Sequence, residues 1–198
     1  MTFLFDIGRV LLDFDFESSL IRLLDAQDAP AERLARLLAR KDDFEAGVVE
    51  AEAYISWALE TLECTATPDE FMHAWRNIFT PNEPMWRHVR ELAAAGHQLI
   101  LFSNTNAIHC PWIFETYPEF SLFHEAVLSY QAGSIKPRPE IYQYAIETHG
   151  LEPAATRYID DLPENIATGR DIGFRSFQYN LLDHAPFEKW LATELAEG

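Results

Sequence analysis

Four short, widely separated segments of this chain carry side chains that could do chemistry. Near the start, Phe3-Leu4-Phe5-Asp6-Ile7-Gly8 delivers one aspartate from an apolar run into a glycine-containing turn. A carboxylate presented in that way is a candidate nucleophile. Leu99 to Phe102 leads into Ser103-Asn104-Thr105-Asn106, a string of hydroxyls and amides at the end of a second apolar run. Lys136-Pro137-Arg138-Pro139 sets a lysine before a proline turn, and Tyr158-Ile159 ends in the adjacent acids Asp160 and Asp161. The acids could cap a helix starting near Pro163, but two together at the end of a buried strand are better explained by a cation. Singly, Asp6 could be a turn cap, Ser103 a strand-end serine and Lys136 a solvated loop residue. Together and in this order they are hard to obtain by chance.

Charge narrows the partners. Across 198 residues, 15 Lys and Arg face 32 Asp and Glu, a net charge of −17. Nucleic acid and anionic membrane are bound through basic surface, so neither is expected as a partner. An anionic small molecule would need a local positive device, and a metal ion is the simplest. Cys64 and Cys110 form no CxxC, and the seven histidines form no HxH or HExxH pair. Local spacing therefore points to neither a zinc site nor a disulfide framework. No run approaches the roughly 20 apolar residues of a membrane span, and the first strand begins too early for a signal peptide. A cytoplasmic protein, monomeric or a weak homodimer, is the expectation.

The elements that must position these residues alternate between short apolar runs and helical patterns, the mark of an α/β fold with a parallel sheet. Strands are predicted at Phe3 to Ile7, Gln98 to Ser103, Ala126 to Ser129, Arg157 to Asp160 and Phe174 to Gln178. Gly96, Gly150 and Gly173 each precede a strand where a helix must end, a place for a residue without Cβ. Between the first two strands lie about ninety residues with no convincing strand, far more than one crossover requires. Leu34, Leu37, Leu38; Ile55, Leu59, Leu62; and Phe71, Trp75, Ile78, Phe79 follow helical spacing, and Thr67-Pro68-Asp69-Glu70 reads as a capping box. Four short helices are predicted from about Glu17 to Thr80. The division expected is residues 1–15 and 81–198 as a Rossmann-like core, with 16–80 as an inserted helical cap over the sheet's carboxyl edge. A last helix near Pro186 to Leu195 covers an edge. In such sheets ligands sit outside the carboxyl ends of the strands, where Asp6, Ser103 and Asp160-Asp161 would converge.

These segments resemble the haloacid dehalogenase superfamily of aspartate-nucleophile hydrolases nearly end to end. Phe5-Asp6-Ile7-Gly8, Asp13-Phe14-Asp15-Phe16, Phe44-Glu45-Ala46-Gly47, Phe102-Ser103-Asn104-Thr105-Asn106 and Lys136-Pro137 through Tyr142 are similar to the bacterial α-D-glucose-1-phosphate phosphatase branch. The resemblance implies phosphoryl transfer to Asp6 and hydrolysis of the resulting aspartyl phosphate. It implies Mg²⁺ on Asp6, the Gly8 carbonyl and Asp160 or Asp161, with Ser103 and Lys136 on the phosphate. Glu45, Asn104 and Asn106 are the candidate substrate contacts. The physics of these residue types agrees, because a carboxylate approaches a dianionic phosphate only after charge is neutralised.

One departure matters. Most phosphatases of the superfamily carry a second aspartate two residues after the nucleophile as general acid and base, and here that position is Gly8. Such help is typically worth about 10²–10⁴ in rate. Its loss costs least when the leaving oxygen is already acidic, which favours a sugar 1-phosphate, and it leaves Asp13 or Asp15 as stand-in bases. Arg9, where relatives usually have asparagine or glycine, could touch phosphate or lie across the cap interface. Two other readings use the same residues: a 2-haloacid dehalogenase, which needs no metal, or a phosphate-binding module that turns over poorly.

Overall fold

The computed structural model describes residues 1–24 and 30–197. Residues 25–29, within the segment read as the cap, lie outside the described residues. Five parallel strands form the central sheet: β1 (Thr2–Phe5), β4 (Gln98–Ser103), β5 (Glu125–Leu128), β6 (Thr156–Asp160) and β7 (Arg175–Gln178), in spatial order β5-β4-β1-β6-β7. The strand carrying Asp6 is thus central, with Phe5 opposite Leu101 on one side and Ile159 on the other. Both faces are covered, as a parallel sheet requires. Phe3, Phe5, Leu99 and Leu101 pack on the side of α6 (Glu83–Ala94) and α11 (Ala185–Glu197). Leu4, Ile100, Phe102 and Tyr158 pack on the side of α9 (Pro139–His149) and α10 (Pro163–Ile172). Gly150 and Gly173 end these last two helices with φ of 61° and 104°. No helix among the described residues is long and apolar enough to cross a membrane.

The segment between β1 and β4 differs from the expectation in two respects: its described residues form five α-helices before Thr80, not four, and it includes strands. Besides α1 (Phe16–Leu20), α2 (Pro30–Leu38), α3 (Lys41–Glu45), α4 (Ala51–Leu62) and α5 (Pro68–Arg76), it contains two short strands, β2 (Leu12–Phe14) and β3 (Phe79–Pro81). They pair antiparallel, Asp13 opposite Thr80, so the outgoing and returning chains form one ribbon. Three-residue strands show no usable alternation, and this pairing spans the whole insertion. The capping box forms as read: Glu70 N donates to Thr67 Oγ1 and Thr67 N to Glu70 Oε2.

The helices of this segment share an apolar core of Leu34, Leu37, Phe44, Tyr54, Ile55, Leu62, Phe71 and Trp75, entered from the other side by Ile108. Two further features bind it to the sheet. His109, at the start of α7 (His109–Thr116), stacks on Trp75 at 5.3 Å and holds the Trp75 carbonyl through Nε2 at 2.9 Å. Gly47 has φ of 70°, and a Cβ there would stand 2.2 Å from the Tyr130 carbonyl oxygen, so the chain passes directly over α8 (Ser129–Ala132).

Gly169 on α10 makes another close approach, where an added Cβ would meet the Tyr158 ring at 2.7 Å and Ser176 Oγ at 2.9 Å. Gly169→Ala is expected to destabilise the protein by about 1–3 kcal/mol through overpacking. A lowered urea midpoint checks this, and an unchanged midpoint would contradict it.

Candidate active site

Parallel strands end together, and the residues that follow them meet. Asp6 N donates to the Ile159 carbonyl at 3.0 Å, extending the ladder by one bond before the chain turns away. The turn is tight: Leu11 N and Leu12 N both donate to the Ile7 carbonyl, and Arg9 sits at φ 57°. A cavity of about 330 Å³ opens above, with Asp6, Gly8, Ser103, Asn104, Lys136 and Asp161 on its sheet side. Phe16, Leu38, Lys41 and Glu45 line it from the helical segment, and Phe14 and Phe79 from the ribbon.

Lys136 is the fixed point. It is buried, and its Nζ lies 2.7 Å from the Phe102 carbonyl, 2.5 Å from Asp160 Oδ2 and 3.1 Å from Asp6 Oδ1. Its backbone is clamped by one side chain: Asn104 Oδ1 accepts from Lys136 N at 2.8 Å, and Asn104 Nδ2 donates to the Lys136 carbonyl at 2.9 Å. The carboxylates beside the ammonium hold its pKa above the ordinary lysine value against the opposing and larger effect of burial. Asp6 is different. Its Oδ1 is near the ammonium but not aligned for a hydrogen bond, and it is a buried oxygen without a donor. Burial, opposed by Lys136, lifts the Asp6 pKa from 3.8 to about 7, with Asp160 and Asp161 adding to the rise. Asp161 is raised to about 6, first by burial and then by Asp160.

The paired acids have separate places. Asp160 is fully buried beneath the cavity, where its carboxylate accepts from Lys136 Nζ, Tyr158 OH, Leu162 N and Asn165 Nδ2. Those donors tie Asp160 to Lys136, while its carboxylate stays within 4.8 Å of ligand atoms of Asp6 and Asp161. Asp161 lines the cavity itself. Asp6, Asp160 and Asp161 carry three negative charges against the one positive charge of Lys136, which leaves two uncompensated. The Gly8 carbonyl accepts no hydrogen bond among the described residues, and Asn165 Oδ1 is a second buried orphan acceptor at the cavity. Orphan oxygens and surplus negative charge fit a hard divalent cation.

Asn106 does not line the cavity. It is fully buried, and its Oδ1 accepts from Ile108 N and His109 N at the head of α7. It is therefore a cap, not a substrate contact. Asn104 does line the cavity, although both ends of its amide are engaged by Lys136. Asp13 pairs with Arg9, and Asp15 caps α1 by accepting from Ser18 N at 3.0 Å. Neither lies on the cavity wall with Asp6, so neither stands ready as the base. The Arg9 guanidinium covers the Phe14 ring at 4.5 Å, placing it across the ribbon.

Three contributors are absent from the sequence expectations. Lys41 meets Glu45 at 2.7 Å, one helical turn apart, and burial raises the Glu45 pKa while Lys41 opposes it. The i, i+4 spacing was a usable signal. His109 faces the cavity with its pKa pressed by burial to about 3, so it is a neutral ring. The aromatic wall of Phe14, Phe16 and Phe79 is the third: Phe79 reads as the end of a helical period with Phe71, Trp75 and Ile78, but α5 stops at Arg76 and Phe79 opens β3.

Comparisons with known proteins agree with this geometry. Residues 1–173 match the family described as haloacid dehalogenase-like hydrolase. D-ribitol-5-phosphate phosphatase of Bacteroides thetaiotaomicron is 28% identical over 187 residues, covering 88% of this chain and 89% of that protein. A crystal structure of a HAD family enzyme from the same organism superimposes with a TM-score of 0.82 at 21% identity, over 94% of this chain and 97% of the other. The wild-type form of that enzyme in complex with magnesium and inorganic phosphate gives 0.80 at 20% identity, over 92% and 95%.

Because Asp6 and Asp161 hold their protons more tightly in the folded chain, the stability they contribute is complete below about pH 4. It is lost as pH rises through about 6 and 7. In chelated protein, Asp6→Asn is expected to flatten the loss of urea resistance between pH 4 and 8. A variant that keeps the wild-type slope would remove Asp6 as its source.

Proposed function

Since its match to the family spans residues 1–173, the chain belongs to the haloacid dehalogenase-like hydrolases, and from that premise we propose that it is a Mg²⁺-dependent phosphatase of a small phosphorylated sugar or polyol. One observation carries the reading: a buried, donorless carboxylate oxygen of Asp6 stands at the floor of the cavity beside a locked ammonium, in a cluster where Asp6, Asp160 and Asp161 share the single Lys136. A carboxylate so placed is poised to attack a phosphoryl group that brings a cation with it.

In this reading Asp6 attacks phosphorus, the P–O bond to the sugar breaks, and the phosphoryl group is held as a mixed anhydride on the carboxylate. Water then attacks the phosphorus, releasing inorganic phosphate and restoring Asp6. Lys136 holds a phosphoryl oxygen by point charge, and Ser103 offers a hydroxyl. Mg²⁺, when bound, supplies Lewis-acid neutralisation of the phosphate, and Asp6, the Gly8 carbonyl and Asp161 are the oxygens that would hold it. The segment from residue 16 to residue 80 acts as the cap, and its Lys41–Glu45 pair reads the hydroxyls of the substrate.

The finer choice of a sugar 1-phosphate, such as glucose 1-phosphate, rests on Gly8. A Cβ at that position would stand 3.0 Å from Phe14 Cε1, so a side chain there would press on that ring. With no carboxyl to protonate it, the leaving oxygen must be a good one, as an anomeric oxygen is. The D-ribitol 5-phosphate named for the relative at 28% identity has a poorer leaving group and is the direct comparison. A 2-haloacid dehalogenase has no use for surplus negative charge at its nucleophile, which favours the phosphatase.

Asp6→Asn is expected to lower kcat by about 10³-fold or more while the far-UV spectrum is kept. Wild-type turnover would sink the proposal. In a phosphate-release screen, activity should disappear with EDTA, return with Mg²⁺ and be higher on glucose 1-phosphate than on glucose 6-phosphate or D-ribitol 5-phosphate. Halide release in EDTA would mean dehalogenation, and a reversed order would discard the leaving-group reasoning alone. Glu45→Gln should raise KM about 10-fold or more on sugar phosphates and little on p-nitrophenyl phosphate, which lacks hydroxyls to read. Equal effects on both would remove Glu45 from substrate recognition.

A further inference from the structure

A second set of ligand atoms lies away from the cavity, where α6 and the start of α11 pack on the same face of the sheet. His88 on α6, His184 just before α11 and Glu188 within it bring one ligand atom each to within 4.8 Å of one another. Both imidazoles are fixed from their Nδ1 sides. His88 Nδ1 donates to Glu91 Oε2 at 2.9 Å. His184 Nδ1 lies 2.9 Å from the Tyr179 hydroxyl, which also accepts from Asn82 Nδ2. The rings stack at 5.3 Å with 20° between their planes.

What remains is unusual. Both Nε2 atoms are buried, and neither has a hydrogen-bond partner. With its Nδ1–H given to a carboxylate, neutral His88 presents a lone pair at Nε2. That lone pair is 3.5 Å from Glu188 Oε1, and His184 Nε2 is 4.0 Å from the same oxygen. Glu188 Oε1 has a donor in Arg87, but the two buried Nε2 atoms have no partner of their own, which leaves buried polar atoms at a cost.

We propose that His88, His184 and Glu188 bind a Zn²⁺-type transition-metal ion that joins α6 to α11. Metal–ligand bonds of about 2.0–2.1 Å at tetrahedral angles put ligand atoms about 3.3 Å apart, close to the spacing already present. Two imidazoles with one carboxylate favour Zn²⁺ over Mg²⁺. The Glu91 carboxylate on the far nitrogen of His88 is the outer contact that orients a metal-bound imidazole and raises its basicity. Arg87 Nη2 lies 2.8 Å from Glu188 Oε1 and competes for that oxygen. The Glu188 side chain is exposed, so it can turn its other oxygen to the ion, and water can fill the fourth position. Adjacent-residue motifs could not find this site, because its histidines, at positions 88 and 184, are far apart in the sequence and meet only in the fold.

The test uses the full chain, stripped by chelation and titrated calorimetrically with Zn²⁺ in excess Mg²⁺, which keeps the oxygen-lined cavity filled. One equivalent of Zn²⁺ is expected, with a rise in Tm, in wild type and in Asp6→Asn alike. The double variant His88→Gln, His184→Gln should lose affinity at least about 100-fold. No Zn²⁺ equivalent, or undiminished affinity in the double variant, would overturn the proposal. Co²⁺ on the wild-type chain decides the matter if the variant does not fold. Intense tetrahedral visible bands without a thiolate charge-transfer band support the site, whereas a weak octahedral spectrum or a sulfur band from Cys64 or Cys110 refutes it.

Discussion

Three carboxylates and one ammonium share the point where three parallel strands end, and most of the surrounding structure is arranged around that imbalance. A buried charge is tolerated only when it is paired and hydrogen-bonded. Lys136 meets this condition through the Phe102 carbonyl and Asp160, and Asp160 through four different donor residues. Asp6 does not, and its carboxyl drifts up to about 7 in consequence. The fold therefore keeps Asp6 less satisfied than the neighbours around it. In the proposed function, a cation with an anionic ligand would relieve that imbalance.

The same logic accounts for the connection to the cap. A ribbon of two three-residue strands is too short to stand alone, so it is anchored at its root. Asn82 does this, donating from its side chain to the Val10 carbonyl at 2.7 Å and from its backbone to the Leu11 carbonyl at 2.9 Å. The loop that follows Asp6 and the chain returning from the helical segment are thereby held by one residue. On the other side, neutral His109 receives the Trp75 carbonyl and fills the seam with aromatic contact. Its pKa near 3 means that this joint stays uncharged through the physiological range.

Legibility in the sequence followed the range of the interactions. Strands of the sheet were visible because each is a local apolar run closed by turn chemistry; Asp6, Ser103 and Asp161 stood out as candidates at the ends of such runs, and Lys136 as a lysine before a proline turn. The capping box at Thr67 is local too, and it formed as read. Roles that depend on a distant partner were not visible. Asp160 and Asp161 are neighbours of one type, and only the positions of Tyr158, Asn165 and Lys136 tell which is buried beneath the cavity. Asn104 and Asn106 look alike in sequence, yet one clamps the lysine loop and the other caps α7. The ribbon failed for the same reason, since Leu12–Phe14 finds its partner only across the entire insertion.

Phe14 brings these strands of reasoning together. Its ring occupies the space in front of Gly8, lies under the Arg9 guanidinium and packs edge-on to Phe79 across the ribbon at 6.4 Å. The ring that lies against position 8 is thus part of the neck on which the helical segment is mounted. A side chain added at position 8 would press on the Phe14 ring, so the site and the ribbon are coupled through that contact.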